Sequence, residues 1–186
     1  MSIQTYVVPN DLPAPTASAT TVTFTDVYGE QWVAKSSVAS GAWRKARDVL
    51  HAVIYRNTTL AMPSGAGTFI AYDTVLRDTY GMFSSNGFSI PAAGWYRIQA
   101  TCNSNTTAAG QYIQGGIWGG PAAGTNIAGS NSVTATAGGL SMRVWIETVC
   151  AVNDLIKAQF YINIASQNLQ LGQSNARLEI SYIGTG

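Results

Sequence analysis

The sequence predicts an all-β fold, an antiparallel sandwich or barrel, preceded by a small attachment element. Two observations carry this. From His51 onward, short runs alternating apolar and polar residues follow one another: HAVIYR, GTFIAYDTV, GFSI, WYRIQATC, GQYIQGGIW, GLSMRVWIETVCAV, LIKAQFYINIA and ARLEISYIG. Turn-forming residues separate most of them, at Pro63-Ser64-Gly65, Pro91 to Gly94, Gly119-Gly120-Pro121 and Asn153-Asp154. Repeated short strands with such punctuation build sandwiches and barrels.

The elements follow in order. Residues 9–20, PNDLPAPTASAT, are rich in Pro, Ala, Ser and Thr and read as an extended arm. TVTFT and QWVAK are short alternating runs around Asp26 to Glu30 and form a small hairpin. In SGAWRKARDVL, Ser40 offers a helix cap, but Gly41 and the short length argue against a long helix. Residues 1–50 are too small to hold a core, so they are expected to fold against something else as an attachment element. Residues 51–186 form the main domain. Within it, Phe88 and Ile90 alternate with Gly87 and Ser89, the Pro91 to Gly94 turn follows, and Tyr96, Ile98 and Ala100 open the next strand, which reads as a β-hairpin.

Composition bounds the function. The chain has 186 residues, suiting one domain or one domain with a short appendage. Only 10% of residues are charged, against roughly 25% in average domains. Gly, Ala, Ser, Thr and Asn take their place, and sparse charge suggests surface turned toward another subunit. Between Arg97 and Arg143 there is no Lys, Arg, Asp or Glu. Either part of this span packs on a sister subunit, or it is a neutral surface solvated by Ser and Thr. A net charge of +1 gives no bulk attraction to nucleic acid or acidic lipid. Arg44-Lys45-Ala46-Arg47, followed by Asp48, reads as a solvated face or a protein contact. The opening Met-Ser-Ile-Gln-Thr-Tyr has no cationic start and no apolar core, so synthesis in a cytoplasm without a signal peptide is expected. No apolar run approaches a membrane span of about 18 residues.

A search for chemistry yields little. His51 is the only histidine and falls in a strand-like run, where a structural imidazole is expected rather than a general base. Cys102 and Cys150, with that one histidine, fall short of a structural zinc site. They either pair across neighbouring strands or act as small apolar residues. Asp73 and Asp78, five residues apart before Gly81, are weak cation candidates against a turn-capping role. GGIWGGPAAG lacks the ending and the helix of a phosphate loop. Trp118, between glycine pairs, is either an exposed platform for a sugar ring or a plug in an inter-subunit seam. No cofactor and no enzymatic activity are expected.

A resemblance adds to this. Tyr72-Asp73, Asp78, Gly81, Phe88, Ile90, Pro91, Gly94 and Tyr96 resemble the front half of the complement globular-head and tumour necrosis factor superfamily. VWIETVCAVNDLIKAQFY is similar to the family's strand-turn-strand before the last strand, with Asn153 where Gly is commoner, and LEISYIG resembles its terminal strand. Over residues 51–184 the resemblance implies a two-sheet antiparallel jelly-roll sandwich assembled as a tight homotrimer, its last strand near the threefold axis. Before that head, YGEQWVAKSSVASGAWRKARDVLHAVIYRN is similar to small virion proteins of tailed phages of actinobacteria.

The resulting expectation is a non-enzymatic virion structural protein. Trp32, Trp43, Arg44, Lys45 and Arg47 would dock it to other virion proteins. Trp118, Thr106, Asn126 and Asn131 would contact a host-surface glycan or envelope component. A minor tail or tail-tip role competes with a capsid decoration trimer and with a carbohydrate-binding adhesin unrelated to phage.

Overall fold

Strict alternation shapes the main domain. In the computed structural model, residues 22–25, 31–34, 44–46, 50–78, 80–84, 86–104, 110, 112–133, 140–163 and 167–185 are described. The expected arm of residues 9–20, Trp43, Arg47, Asp48 and Thr106 lie outside them, as does the side chain of Asn131.

The strands are β1 (Val22–Thr25), β2 (Gln31–Ala34), β3 (Arg44–Lys45), β4 (His51–Tyr55), β5 (Ala61–Met62), β6 (Gly67–Phe69), β7 (Thr74–Asp78) and β8 (Phe83–Ser84). There follow β9 (Gly87–Ser89), β10 (Gly94–Ser104), β11 (Tyr112–Gly119), β12 (Thr125–Val133), β13 (Leu140–Cys150), β14 (Leu155–Ile162), β15 (Gln167–Asn168) and β16 (Ala176–Gly184). One main sheet runs β13-β10-β16-β4-β7, the other β12-β11-β14-β9-β8 with β6 also on β14. All strand pairs are antiparallel. From β10 on, the chain passes from the first sheet to the second (β11, β12), back (β13), across (β14) and back again (β16). That exchange makes the sandwich a jelly roll.

The core lies between the sheets. On β14 every second residue is buried, giving Ile156, Ala158, Phe160 and Ile162. They meet Tyr96, Ile98, Ala100 and Cys102 of β10 and Leu178, Ile180 and Tyr182 of β16 in one continuous cluster. Each fully buried Ile or Phe contributes about 2–3 kcal/mol relative to exposure. The Tyr96 hydroxyl donates to Ala92 O at 2.7 Å, and its ring meets Tyr182 edge-on at 5.2 Å.

The hairpin TVTFT–QWVAK exists as β1–β2, and the ambiguous stretch after it supplies β3, which pairs with β2. What this small sheet folds against is the head itself. Val33, Ala46 and Leu50 belong to the main core cluster, Tyr80 Oη lies 3.4 Å from Val33 O, and Tyr182 Oη lies 3.3 Å from Gln31 Oε1.

Three expected elements differ. The run from Gly87 to Ala100 is not a hairpin: β9 pairs with β14 and β8 in the second sheet and β10 with β13 and β16 in the first, so the turn from Pro91 to Gly94 carries the chain between sheets instead of folding it back on itself. GTFIAYDTV is not one strand: β6 pairs with β14 and β7 with β4, so residues 70–73 carry the chain from one sheet to the other. Both Ile70 and Tyr72 are buried at this crossing, which gives the run its strand-like look. Residues 121–139, which no alternating apolar run marks and which therefore read as a loop, hold β12, paired along its length with β11 across one bulge. Its Gly, Ser and Asn residues are weak strand formers, and the neighbouring strand decides their state.

Turn chemistry is specific. Asn153 has φ +68°, the left-handed conformation that Gly adopts most readily and that Asn tolerates. Gly94 has φ +151°, and an added Cβ would sit 2.5 Å from Tyr182 Cε2 and 2.6 Å from Gly184 O. Gly94→Ala is therefore expected to destabilise the fold by about 2–4 kcal/mol. At Gly65 the φ is +73° with nothing within 4 Å of the added atom, so Gly65→Ala should cost only about 1 kcal/mol. Urea denaturation of both variants checks the difference.

Candidate functional site

The sequence singles out several side chains, and the structure sorts them. Asp73 and Asp78 flank β7. At about 3.3 Å per residue along a strand, their carboxylates stand on the order of 15 Å apart and share no site. Each caps a turn. Asp78 accepts from the amides of Met82 and Phe83, both at 2.8 Å. Asp73 accepts from Asn57 N at 2.8 Å, Thr58 N at 3.0 Å, Thr58 Oγ1 at 2.5 Å and Thr74 Oγ1 at 2.9 Å, with Arg56 Nη1 3.6 Å away. Desolvation works against its charge, but these hydrogen bonds outweigh it and hold the Asp73 carboxyl below its usual value. Among the described residues no three His, Cys, Asp or Glu gather as metal ligands.

Cys102 and Cys150 are free and buried. In the β10–β13 ladder Cys102 faces Met142 and Cys150 faces Gly94, so they sit at opposite ends of the pair. No disulfide can span that distance. Burial pushes the Cys150 thiol up to about 12, with Asp154 adding to it, and burial also raises Cys102. His51 Nε2 lies 3.1 Å from Glu179 Oε1, and Arg177 holds the other oxygen of Glu179 at 2.7 Å.

The outer face of the first sheet mixes ion pairs with exposed apolar groups. Arg97 on β10 meets its cross-strand partner Glu147 on β13 at 2.6 Å. One register step away, Trp95 faces Val149. Trp145 is 64% and Val149 57% exposed, and Trp95 and Ile183 are also exposed. These exposed apolar side chains gather on one face of a chain that carries few charges.

The outer face of the second sheet holds a recess of about 290 Å³ lined by Gln114, Gly116, Trp118, Asn126, Gly129, Gln159 and Tyr161. Of the expected contact residues, Trp118 and Asn126 come together here, paired across β11 and β12 at a bulge. Trp118 stacks edge-on against Phe69 at 5.7 Å. Gln114, Gln159 and Tyr161 carry no signal in the sequence and arrive only through the β11–β14 register. In the small N-terminal sheet, Lys45 Nζ lies 5.5 Å from the Trp32 ring centre, and Arg44 pairs with Val33 through its backbone.

With this geometry in hand, solved structures place the fold. The globular domain of zebrafish complement 1qA protein matches with a TM-score of 0.56 at 12% identity, covering 73% of this chain and 98% of that one. Eiger TNF from S. frugiperda matches with a TM-score of 0.54 at 8% identity, covering 73% and 93%. Murine APRIL matches with a TM-score of 0.54 at 12% identity, covering 72% and 99%. The chain thus has the jelly-roll fold of complement globular heads and tumour necrosis factors, a similarity of structure. No family model and no curated protein matches its sequence.

The Asp73 cap gives a prediction. Asp73→Ala should cost about 1–2 kcal/mol at neutral pH. A carboxyl lowered in the folded state contributes stability that is complete above its unfolded value and is lost as pH falls through the folded one. The gap between variant and parent should therefore close below pH 3.8, as urea titrations at neutral and acid pH will read.

Proposed function

We propose that the chain is a non-enzymatic virion structural protein: a homotrimeric jelly-roll head displayed on a phage particle, held there by residues 1–50, and serving as a minor tail protein that touches the host surface. The observation that carries the self-association is the exposed cluster of Trp95, Trp145, Val149 and Ile183 on the first sheet. Three copies that bury it bring three identical contact sites onto one rigid body, and avidity follows from effective concentration without a strong single contact. The complement and tumour necrosis factor resemblance, which implies a trimer, supports this arrangement. The virion assignment is supported by the resemblance of residues 28–57 to small phage virion proteins and by the short sheet that these residues add to the head. Trp32, Trp43, Arg44, Lys45 and Arg47 are the proposed docking residues. Trp118, Thr106, Asn126 and Asn131 are proposed to face outward.

Sedimentation at micromolar concentration should give the mass of a trimer. The double substitution Trp145→Glu, Val149→Glu should release monomers that keep a β-type circular dichroism spectrum. A stable monomer of the unsubstituted chain would sink the trimer, and a variant that stays trimeric would sink this face.

Location is tested by electron microscopy of gold-labelled particles, purified from the lysate of the gene's source, with an antibody against residues 51–186. Gold at the tail end is the expected result. Gold spread over the shell replaces the tail role with capsid decoration, and particles without gold overturn the virion reading.

A further inference from the structure

We infer that the recess on the outer face of the second sheet binds a single neutral sugar ring, with Trp118 as its wall and Gln114, Asn126 and Gln159 as its hydrogen-bonding groups.

The floor comes first. Along one row across the sheet, Gly129 on β12 faces Gly116 on β11, Gly116 faces Gln159 on β14, and Gln159 faces Phe69 on β6. Two adjacent glycines in such a row leave a trough where side chains would normally stand. Gly116 has a second reason to be glycine. A Cβ built there would lie 3.0 Å from Asn126 Nδ2 and 3.3 Å from Trp118 Nε1. An amide and an indole N–H therefore converge over the bare backbone, both able to donate into the trough.

The walls follow from register. Gln114 faces Tyr161, and Trp118 faces Lys157, on either side of the glycine row. The edge-on contact with Phe69 fixes the indole plane. Tyr161 is held in turn by a hydrogen bond with Tyr112, which raises the Tyr112 phenol above its ordinary value. Aromatic faces at both ends can pack against the C–H groups of a ring. Between them, each amide offers two N–H donors and a carbonyl acceptor, the pairing that vicinal hydroxyls need.

Charge and size narrow the ligand. No carboxylate, guanidinium or ammonium lines the recess, and the ammonium of Lys157, across from Trp118, is drawn over the Phe69 ring at 6.0 Å, so an acidic sugar or a phosphate would be desolvated without a counter-ion inside the recess. Its volume of about 290 Å³ lies at the lower end of small-molecule pockets, roughly 300–1,000 Å³. That suits one ring, not a buried chain. The recess also faces away from the Trp95–Trp145–Val149 cluster, being on the opposite sheet, so an assembly that buries one leaves the other open. A free head would bind the same sugar, and the inference therefore stands or falls apart from the virion reading.

The test is a titration of the whole chain with the methyl glycosides of glucose, galactose, mannose and N-acetylglucosamine, and with methyl glucuronide. Indole N–H signals are followed by nuclear magnetic resonance, the Trp118 signal being assigned with Trp118→Phe. At least one neutral glycoside should move that signal with a Kd in the millimolar range, a value typical of a small ligand held by about −4 kcal/mol. Gly116→Val, which fills the floor, should abolish the shift, and Gln159→Ala should weaken it at least about tenfold, the effect of one lost hydrogen bond of about 1.4 kcal/mol. Gln159→Ala removes only side-chain atoms at the surface and keeps the test open should Gly116→Val fold poorly. No shift with any neutral glycoside at ~50 mM, well beyond a millimolar Kd, overturns the inference. So does binding that survives both substitutions, and so does a preference for the glucuronide.

Discussion

The sandwich depends on β16 lying between β10 and β4. Ile180 faces Ile98 on one side and Ala52 on the other, so the middle of the first sheet forms only when segments far apart in the chain have met. Such pairing demands loop closure before contacts reward it, which makes folding slow and cooperative. Tyr182 extends the same constraint to the small N-terminal sheet. Its amide donates to Leu50 O at 2.8 Å, its hydroxyl lies near Gln31, and its ring packs on Tyr96. The small sheet is thus fastened at the point where β16 closes the head.

The sparse charges are not spread evenly. Arg97–Glu147 and the His51–Glu179–Arg177 group lie on the outer face of the first sheet, and Arg56–Asp73 lies beside it. Pairs as exposed as Arg97–Glu147 stabilise by about 0–1 kcal/mol, far less than the core. Their position counts for more, since charges set among exposed Trp95, Trp145 and Val149 fix the orientation in which two such faces can meet. The second sheet's outer face around the recess carries amides and aromatic rings, with Lys157 at its edge over the Phe69 ring. One side of the sandwich is therefore suited to a protein surface and the other to a neutral polar ligand.

The long strands were legible because their alternation is written in apolar residues: Tyr96, Ile98 and Ala100 on β10, or Ile156, Ala158 and Phe160 on β14. β12 was not, because Asn126, Gly129 and Asn131 carry no such alternation and become a strand only by pairing with β11. The break inside GTFIAYDTV was hidden for the opposite reason, since Ile70 and Tyr72 are as apolar as strand residues while crossing between sheets. At the recess, glycines around Trp118 betrayed that wall in the sequence. Gln114, Gln159 and Tyr161 look like ordinary outward residues until the β11–β14 register is known. A site made by register between distant strands leaves no local motif to read.

Gly115 and Gly116 show how closely core and recess are coupled. The two residues point to opposite faces of β11. A Cβ at Gly115 would lie 2.7 Å from Phe160 Cε1, 2.8 Å from Val144 Cγ2 and 2.9 Å from Met142 Cγ. Its absence lets Phe160 and side chains of both sheets fill the core at close range. Gly116, one residue on, keeps the trough open between the Asn126 amide and the Trp118 indole. Their constraints differ in kind. The neighbours of Gly115 are packed core groups that cannot withdraw without leaving a void, whereas the nearest neighbour of Gly116 is the end of the Asn126 side chain, which can swing outward. Substitution at the first position acts on stability and at the second on the shape of the recess. Adjacent identical residues thus separate the fold's requirement from the site's.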